Sequence, residues 1–100
     1  MAYSSLDLFR KFLHGREEAS FAFLNLKEEL SNTSEQYIFD LTDVLVLAPS
    51  YCDELFANLH LEFPGRIFIS SKINHAHKVA FETVEETRGM KFNYHIKHLN

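Results

Sequence analysis

Four sets of side chains in this 100-residue chain have types and spacings from which chemistry can be built. His75 and His77 stand two apart, and His95 and His98 three apart, as candidate metal ligands would. On a helix, positions two apart point in different directions, and on a strand His95 and His98 face opposite sides. No cysteine or carboxylate cluster joins them, so they read as solvated surface histidines and no metal is expected. Cys52 lies early in an expected helix, where the dipole lowers a thiol pKa. It shares an apolar face with Leu55, Phe56 and Leu59, and is expected to be packed rather than reactive. Asp40 and Asp43 flank Thr42, and Asp53-Glu54 follow Ser50. Paired carboxylates serve acid–base work or hold magnesium, but Gly15, Gly65 and Gly89 stand singly at element ends and supply no phosphate cradle. Asp40 and Asp43 therefore read as turn or strand-edge residues and Asp53 as a helix cap. Ser50 follows a proline without flanking glycines, unlike a nucleophile elbow. No catalytic residue, no cofactor and no enzymatic activity are expected.

The elements that would position these residues follow from periodicity. Leu6–Leu13 is short and mixed, an edge strand or a turn of helix, and reads more readily as extended up to the break at His14-Gly15. From Arg16, the residues Ala19, Ala22, Phe23, Leu26 and Leu30 recur at three- and four-residue spacing, which predicts an amphipathic helix. Phe21 and Leu24 widen its stripe and imply cover on more than one side. Tyr37–Leu47 exceeds one strand: Ile38-Phe39 can pair first, then a kink at Asp40–Asp43, then Val44–Leu47. A Pro-Ser break follows, with Ser50 as the expected N-cap and Asp53 completing a capping-box pattern. In that helix Cys52, Leu55, Phe56 and Leu59 face inward, and Asp53, Glu54, Ala57 and Asn58 elsewhere. Pro64-Gly65 ends it, and Ile67–Ser70 is a short buried strand. Asn74–Arg88 is a further helix with Val79, Ala80 and Val84 inward, joined less firmly by Ala76 and Thr87, and it stops at Gly89. Lys91–Lys97 alternates, as a half-exposed edge strand does. The result is a single α/β domain over residues 1–100, with a small mixed or mostly parallel sheet. Its expected centre is a parallel pair of Val44–Leu47 and Ile67–Ser70, crossed over right-handedly.

Composition narrows the function classes. Ten basic and fourteen acidic residues give a formal charge of −4, and no basic stripe tracks a phosphate backbone, so no nucleic acid is expected. One cysteine rules out an internal disulfide and suits a reducing compartment. No run approaches the roughly 20 apolar residues of a membrane span, and Met1–Ser5 lacks the order of a signal peptide. The expectation is a cytoplasmic protein without membrane contact.

The run Asp40-Leu41-Thr42-Asp43-Val44, then Ala48-Pro49-Ser50-Tyr51, then Asp53-Glu54-Leu55-Phe56, resembles the STAS-like domain family (DUF4325). Members of that family show Asp-Phe-x-Gly-Val, Ser-Pro-Ser-Phe and Ala-Asp-Glu-Leu-Phe in this order. Arg16-Glu17-Glu18-Ala19 is similar to the family's Arg-Glu opening, and the resemblance covers about residues 12–88. It implies the fold of bacterial anti-sigma-factor antagonists and a regulatory, non-enzymatic role in signalling. In those antagonists a strand ends in Asp-Ser-Ser-Gly, whose first Ser is phosphorylated by a histidine-kinase-like ATPase. Aligned from Asp40, these four fall on Ala48, Pro49, Ser50 and Tyr51, and a one-residue shift makes Ser50 the acceptor. The other reading of Ser50 is an unmodified cap.

Two functions of different class follow. The first is a protein-interaction module docking a histidine-kinase-like ATPase or another signalling partner. Its candidate surface is an exposed aromatic and acidic ridge of Ser50, Tyr51, Asp53, Glu54 and Asn58. The second is a small acidic immunity protein, antitoxin or phage-encoded inhibitor that neutralises a basic partner.

Overall fold

Residues 2–5 and 12–95 are described by the computed structural model, with side chains from residue 12 onward. Their order is strand β1 (Ala2–Ser5), strand β2 (Phe12–Leu13), helix α1 (Arg16–Ser31), strand β3 (Tyr37–Asp40) and strand β4 (Val46–Leu47). A composite helix follows, made of α2 (Pro49–Tyr51), a π-helical segment (Cys52–Ala57) and α3 (Asn58–Glu62). Strand β5 (Ile67–Ser70), helix α4 (His75–Arg88) and strand β6 (Asn93–His95) complete the path.

Every described strand pairing is parallel. One sheet has four strands in the order β1-β3-β5-β6, and a second has two, β2 and β4. Parallel strands need crossovers, and the helices supply them. The centre is a correction to the sequence reading. Tyr37–Asp40, not Val44–Leu47, lies beside Ile67–Ser70, with Tyr37 opposite Ile67 and Phe39 opposite Ile69. After the kink, where Asp40 Oδ1 accepts from the Thr42 amide at 2.9 Å, the chain leaves that sheet. Val46-Leu47 pairs instead with Phe12-Leu13. The ladder continues into an amide bond from Ala48 to the Leu13 carbonyl at 2.8 Å, which delivers the chain to the start of the composite helix.

Aromatic rings link the layers. Phe39 on the sheet meets Phe56 at 5.2 Å between centroids, Phe56 meets Phe81 on α4 at 5.4 Å, and Phe81 meets Phe92 at 5.1 Å. Each buried Phe of this chain contributes about 2–3 kcal/mol from apolar area alone. Asn74 caps α4 by accepting from the His77 amide at 2.8 Å, and Gly89 closes it in the left-handed conformation at φ 64°, as expected. The guanidinium of Arg66, at the threshold of β5, donates to the Leu30, Thr33 and Glu35 carbonyls at 2.8–3.0 Å. It thereby satisfies the open C-terminal end of α1 and fixes the loop into β3.

Packing corrects several expectations. Phe21 and Leu24 are bare, at 65% and 61% exposed, so α1 is covered on one side only. Val79, Ala76 and Thr87 face outward on α4, whereas Ala80, Phe81, Val84 and Glu85 face inward. Ala57 is buried, because the π-helical segment has more residues per turn and turns Leu55, Phe56 and Ala57 inward in succession. His77 is 1% exposed rather than solvated. The expectation for the end of the chain is met in Asn93–His95, which forms an edge strand of the larger sheet. Ile96 and His98 lie outside the described residues, as does most of Leu6–Leu13. Among the described residues no helix is long and apolar enough to cross a membrane.

Candidate functional site

The five candidate residues from Ser50 to Asn58 sit at a corner where the start of α1, the composite helix and the end of α4 meet. The helix there starts two residues earlier than expected. Ala48, in extended conformation, is the N-cap and Pro49 occupies the first turn. Proline suits that place, since its missing amide would have lacked an intrahelical partner. Ser50 is therefore inside the helix and makes no side-chain cap bond, and Asp53 completes no capping box.

Asp53 instead joins two arginines that sequence spacing did not connect. Its Oδ2 accepts from Arg16 Nη1 at 2.8 Å, and its Oδ1 accepts from Arg88 Nε at 2.6 Å. Arg88 also donates to the Asp53 carbonyl at 3.3 Å and to Asn58 Oδ1 at 3.2 Å. Glu54 Oε2 lies 3.4 Å from Arg16 Nη1, and its Oε1 accepts from Ser20 Oγ at 3.0 Å. The Asn58 side-chain amide donates to the Glu54 carbonyl at 2.6 Å, which braces the wide π-helical turn. These bonds tie α1, the composite helix and α4 together. Bonds from Arg88 and then Arg16 hold the Asp53 carboxyl below the usual carboxylate range.

Tyr51 is 1% exposed, and burial pushes its hydroxyl up to about 12. The expected exposed aromatic and acidic ridge is thus replaced by a buried ring and an internally paired acid. Cys52 is fully buried, and burial raises its thiol far above the ordinary range. It is a packing residue, as expected. Ser50 alone of the five contributes to an open surface feature without a side-chain partner of its own among the described residues. It lines a cleft of about 230 Å³ with Arg16, Pro49, Asp53, Thr83 and Thr87 among its walls.

The chemistry available in that cleft is recognition by hydrogen bonding. Asp53 is the carboxylate beside Ser50, but each of its oxygens accepts from an arginine and its proton affinity is lowered. Such a group is a poor general base. The Thr83 and Thr87 hydroxyls donate to the Val79 and Thr83 carbonyls at 2.8 Å, leaving their lone pairs as acceptors. Among the described residues no group of three or more His, Cys, Asp or Glu could hold a metal ion.

Two buried polar groups away from the corner escaped the sequence reading. Glu85, in the last turns of α4, is 7% exposed, and its Oε2 accepts from the Phe92 amide at 2.8 Å. It fixes the turn from α4 into β6. His77, in the first turn of α4, has neither ring nitrogen hydrogen-bonded among the described residues, although the Leu45 backbone is close enough to act on it. Burial lowers its pKa below the usual histidine value.

No protein-family model, curated protein or solved structure matches this chain.

Proposed function

We propose that this protein is a non-enzymatic regulatory module that works by docking a protein partner. The observation that carries this reading is the apolar surface left bare on so small a chain. Phe21 and Leu24 on α1 are uncovered, and so are Phe12 and Val46, which stand opposite each other in register on the two-stranded sheet, together with Leu45 beside them. Large apolar side chains gathered on a surface mark contact sites. The resemblance of Asp40–Phe56 to the STAS-like family supports the same role and suggests a histidine-kinase-like ATPase as the kind of partner. On this reading the corner at Ala48–Asn58 is the brace that holds the contact surfaces in place, with Ser50 its accessible hydroxyl.

The test is capture followed by reconstitution. Native protein should retain a partner from lysate, and the purified pair should show the partner's activity changing in proportion to complex formed. Phe21→Ser with Leu24→Ser, or Phe12→Ser with Val46→Ser, should release it while the fold melts normally. Turnover of a small molecule by the isolated chain would overturn the reading, as would capture unaffected by both pairs.

A further inference from the structure

The outer face of α1 carries more than bare apolar area. At about 100° per residue, Glu17, Phe21, Leu24 and Glu28 fall within an arc of roughly 60°, on the side away from buried Ala19, Ala22, Leu26 and Leu30. Phe21 and Leu24 form the middle, and the carboxylates stand four residues before the one and four after the other. Both glutamates are exposed, and neither has an ion pair or hydrogen bond among the described residues. The two cations of the helix, Arg16 beside Glu17 and Lys27 beside Glu28, both point aside, Arg16 to Asp53 at 2.8 Å and Lys27 to Glu62 at 3.2 Å and over the Phe23 ring. From Glu17 to Glu28 the face runs roughly 17 Å along the axis, the length of about three helical turns.

We infer that this face is a docking surface for a basic amphipathic helix of a partner protein, one whose apolar pair is bracketed by lysine or arginine. The inference rests on the interaction-module reading and adds the surface and the chemistry of its occupant. Charge complementarity selects that occupant. Phe21 and Leu24 supply apolar contact to any helix, but two unpaired carboxylates at the ends reward cations placed at matching ends and penalise anions. A second copy of this chain does not fit. Packed antiparallel, Glu17 of one copy meets Glu28 of the other, and packed parallel, like glutamates meet, so either arrangement opposes negative charges. The chain's formal charge of −4 steers the same class of partner at longer range.

The probe is a blocked helical peptide of roughly 14 residues, about four turns, with a leucine pair bracketed by lysines, beside a matched peptide with glutamates in their place. Fluorescence anisotropy should show the lysine peptide binding the intact protein and weakening with salt, and the glutamate peptide binding at least tenfold more weakly. Phe21→Ser with Leu24→Ser should lower lysine-peptide affinity by about tenfold or more. Glu17→Lys with Glu28→Lys should exchange the preference, and at these solvated positions it keeps the test valid should the serine pair disturb the helix. Equal binding of both peptides, or an unchanged preference after charge reversal, overturns the inference. So does a dimer of the native protein, seen in sedimentation, that the serine pair dissolves. A native partner that is retained by both α1 variants removes this surface and leaves the interaction-module reading standing.

Discussion

Helix α1 meets its surroundings in two different ways. On one flank, Arg16 and Ser20 reach across to Asp53 and Glu54, and Asp53 is shared with Arg88 from α4. On its outer face, Glu17 and Glu28 are the same kind of group with no ion pair or hydrogen bond among the described residues, beside two uncovered apolar side chains. A carboxylate's position in the fold, rather than its presence in the sequence, decides whether it holds the structure or remains available to a partner. The acids at Asp53-Glu54, which stand beside a strand-to-helix break and look like an interaction ridge, belong to the first kind. The inconspicuous glutamates on the helix belong to the second.

That contrast can be broken from several sides, starting with the most deeply engaged acid. Glu85→Ala should remove the acceptor of the Phe92 amide and leave that donor buried, at a cost of about 3 kcal/mol. A fall in melting temperature of roughly 15 °C is expected for a domain of this size, read by calorimetry. A loss of only a few degrees would mean that burial does not rank these acids.

His77 tests the same logic with the opposite charge. Its folded-state pKa is lowered, so the neutral ring is favoured in the fold and protonation favours unfolding. Stability should be level above the unfolded value of about 6.5 and decline as pH falls below it. His77→Leu should flatten that decline, as urea titrations at about pH 7.5 and pH 5.5 would show. An equal decline in the variant would place its origin in other groups.

The smallest effect is expected at Ser50. Because Ser50 is a first-turn helix residue without a cap bond, its replacement by alanine should change stability by less than about 0.5 kcal/mol, against the roughly 1 kcal/mol of a lost N-cap. A full 1 kcal/mol loss in thermal melts would restore the capping role.

Legibility in the sequence followed the range of the interactions. The extent of α4, from Asn74 to its stop at Gly89, was readable because it rests on local signals, as were the kink at Asp40–Asp43 and the burial of Cys52. Its inward face was readable only at Ala80 and Val84, since Val79 faces outward and Phe81 and Glu85 inward. The partner of Ile67–Ser70 was not. Tyr37–Asp40 and Val44–Leu47 are both short runs of strand formers, and periodicity cannot choose which enters the larger sheet. The start of the composite helix carried a readable signal, proline at its first position, which outweighs a serine one residue later. The π-helical segment broke the 3.6-residue period by which Ala57 was turned outward. The corner itself depended on Arg16 and Arg88 finding Asp53 across 37 and 35 residues of chain, which only the folded arrangement determines.

The most direct test compares one acid of each kind in a single denaturation series, Asp53→Ala beside Glu28→Ala. At neutral pH the first should cost about 2 kcal/mol, the loss of a partly buried carboxylate with two arginine partners, and the second should stay within about 0.5 kcal/mol of the native protein. Because the folded Asp53 pKa is depressed, its contribution is present above the unfolded value of about 3.9 and is lost as pH falls through the folded one. The gap between the two variants should therefore close in acid. Equal losses at neutral pH, or a gap that persists once the pH is below the folded Asp53 pKa, would contradict the division between acids that hold the fold and acids that face outward.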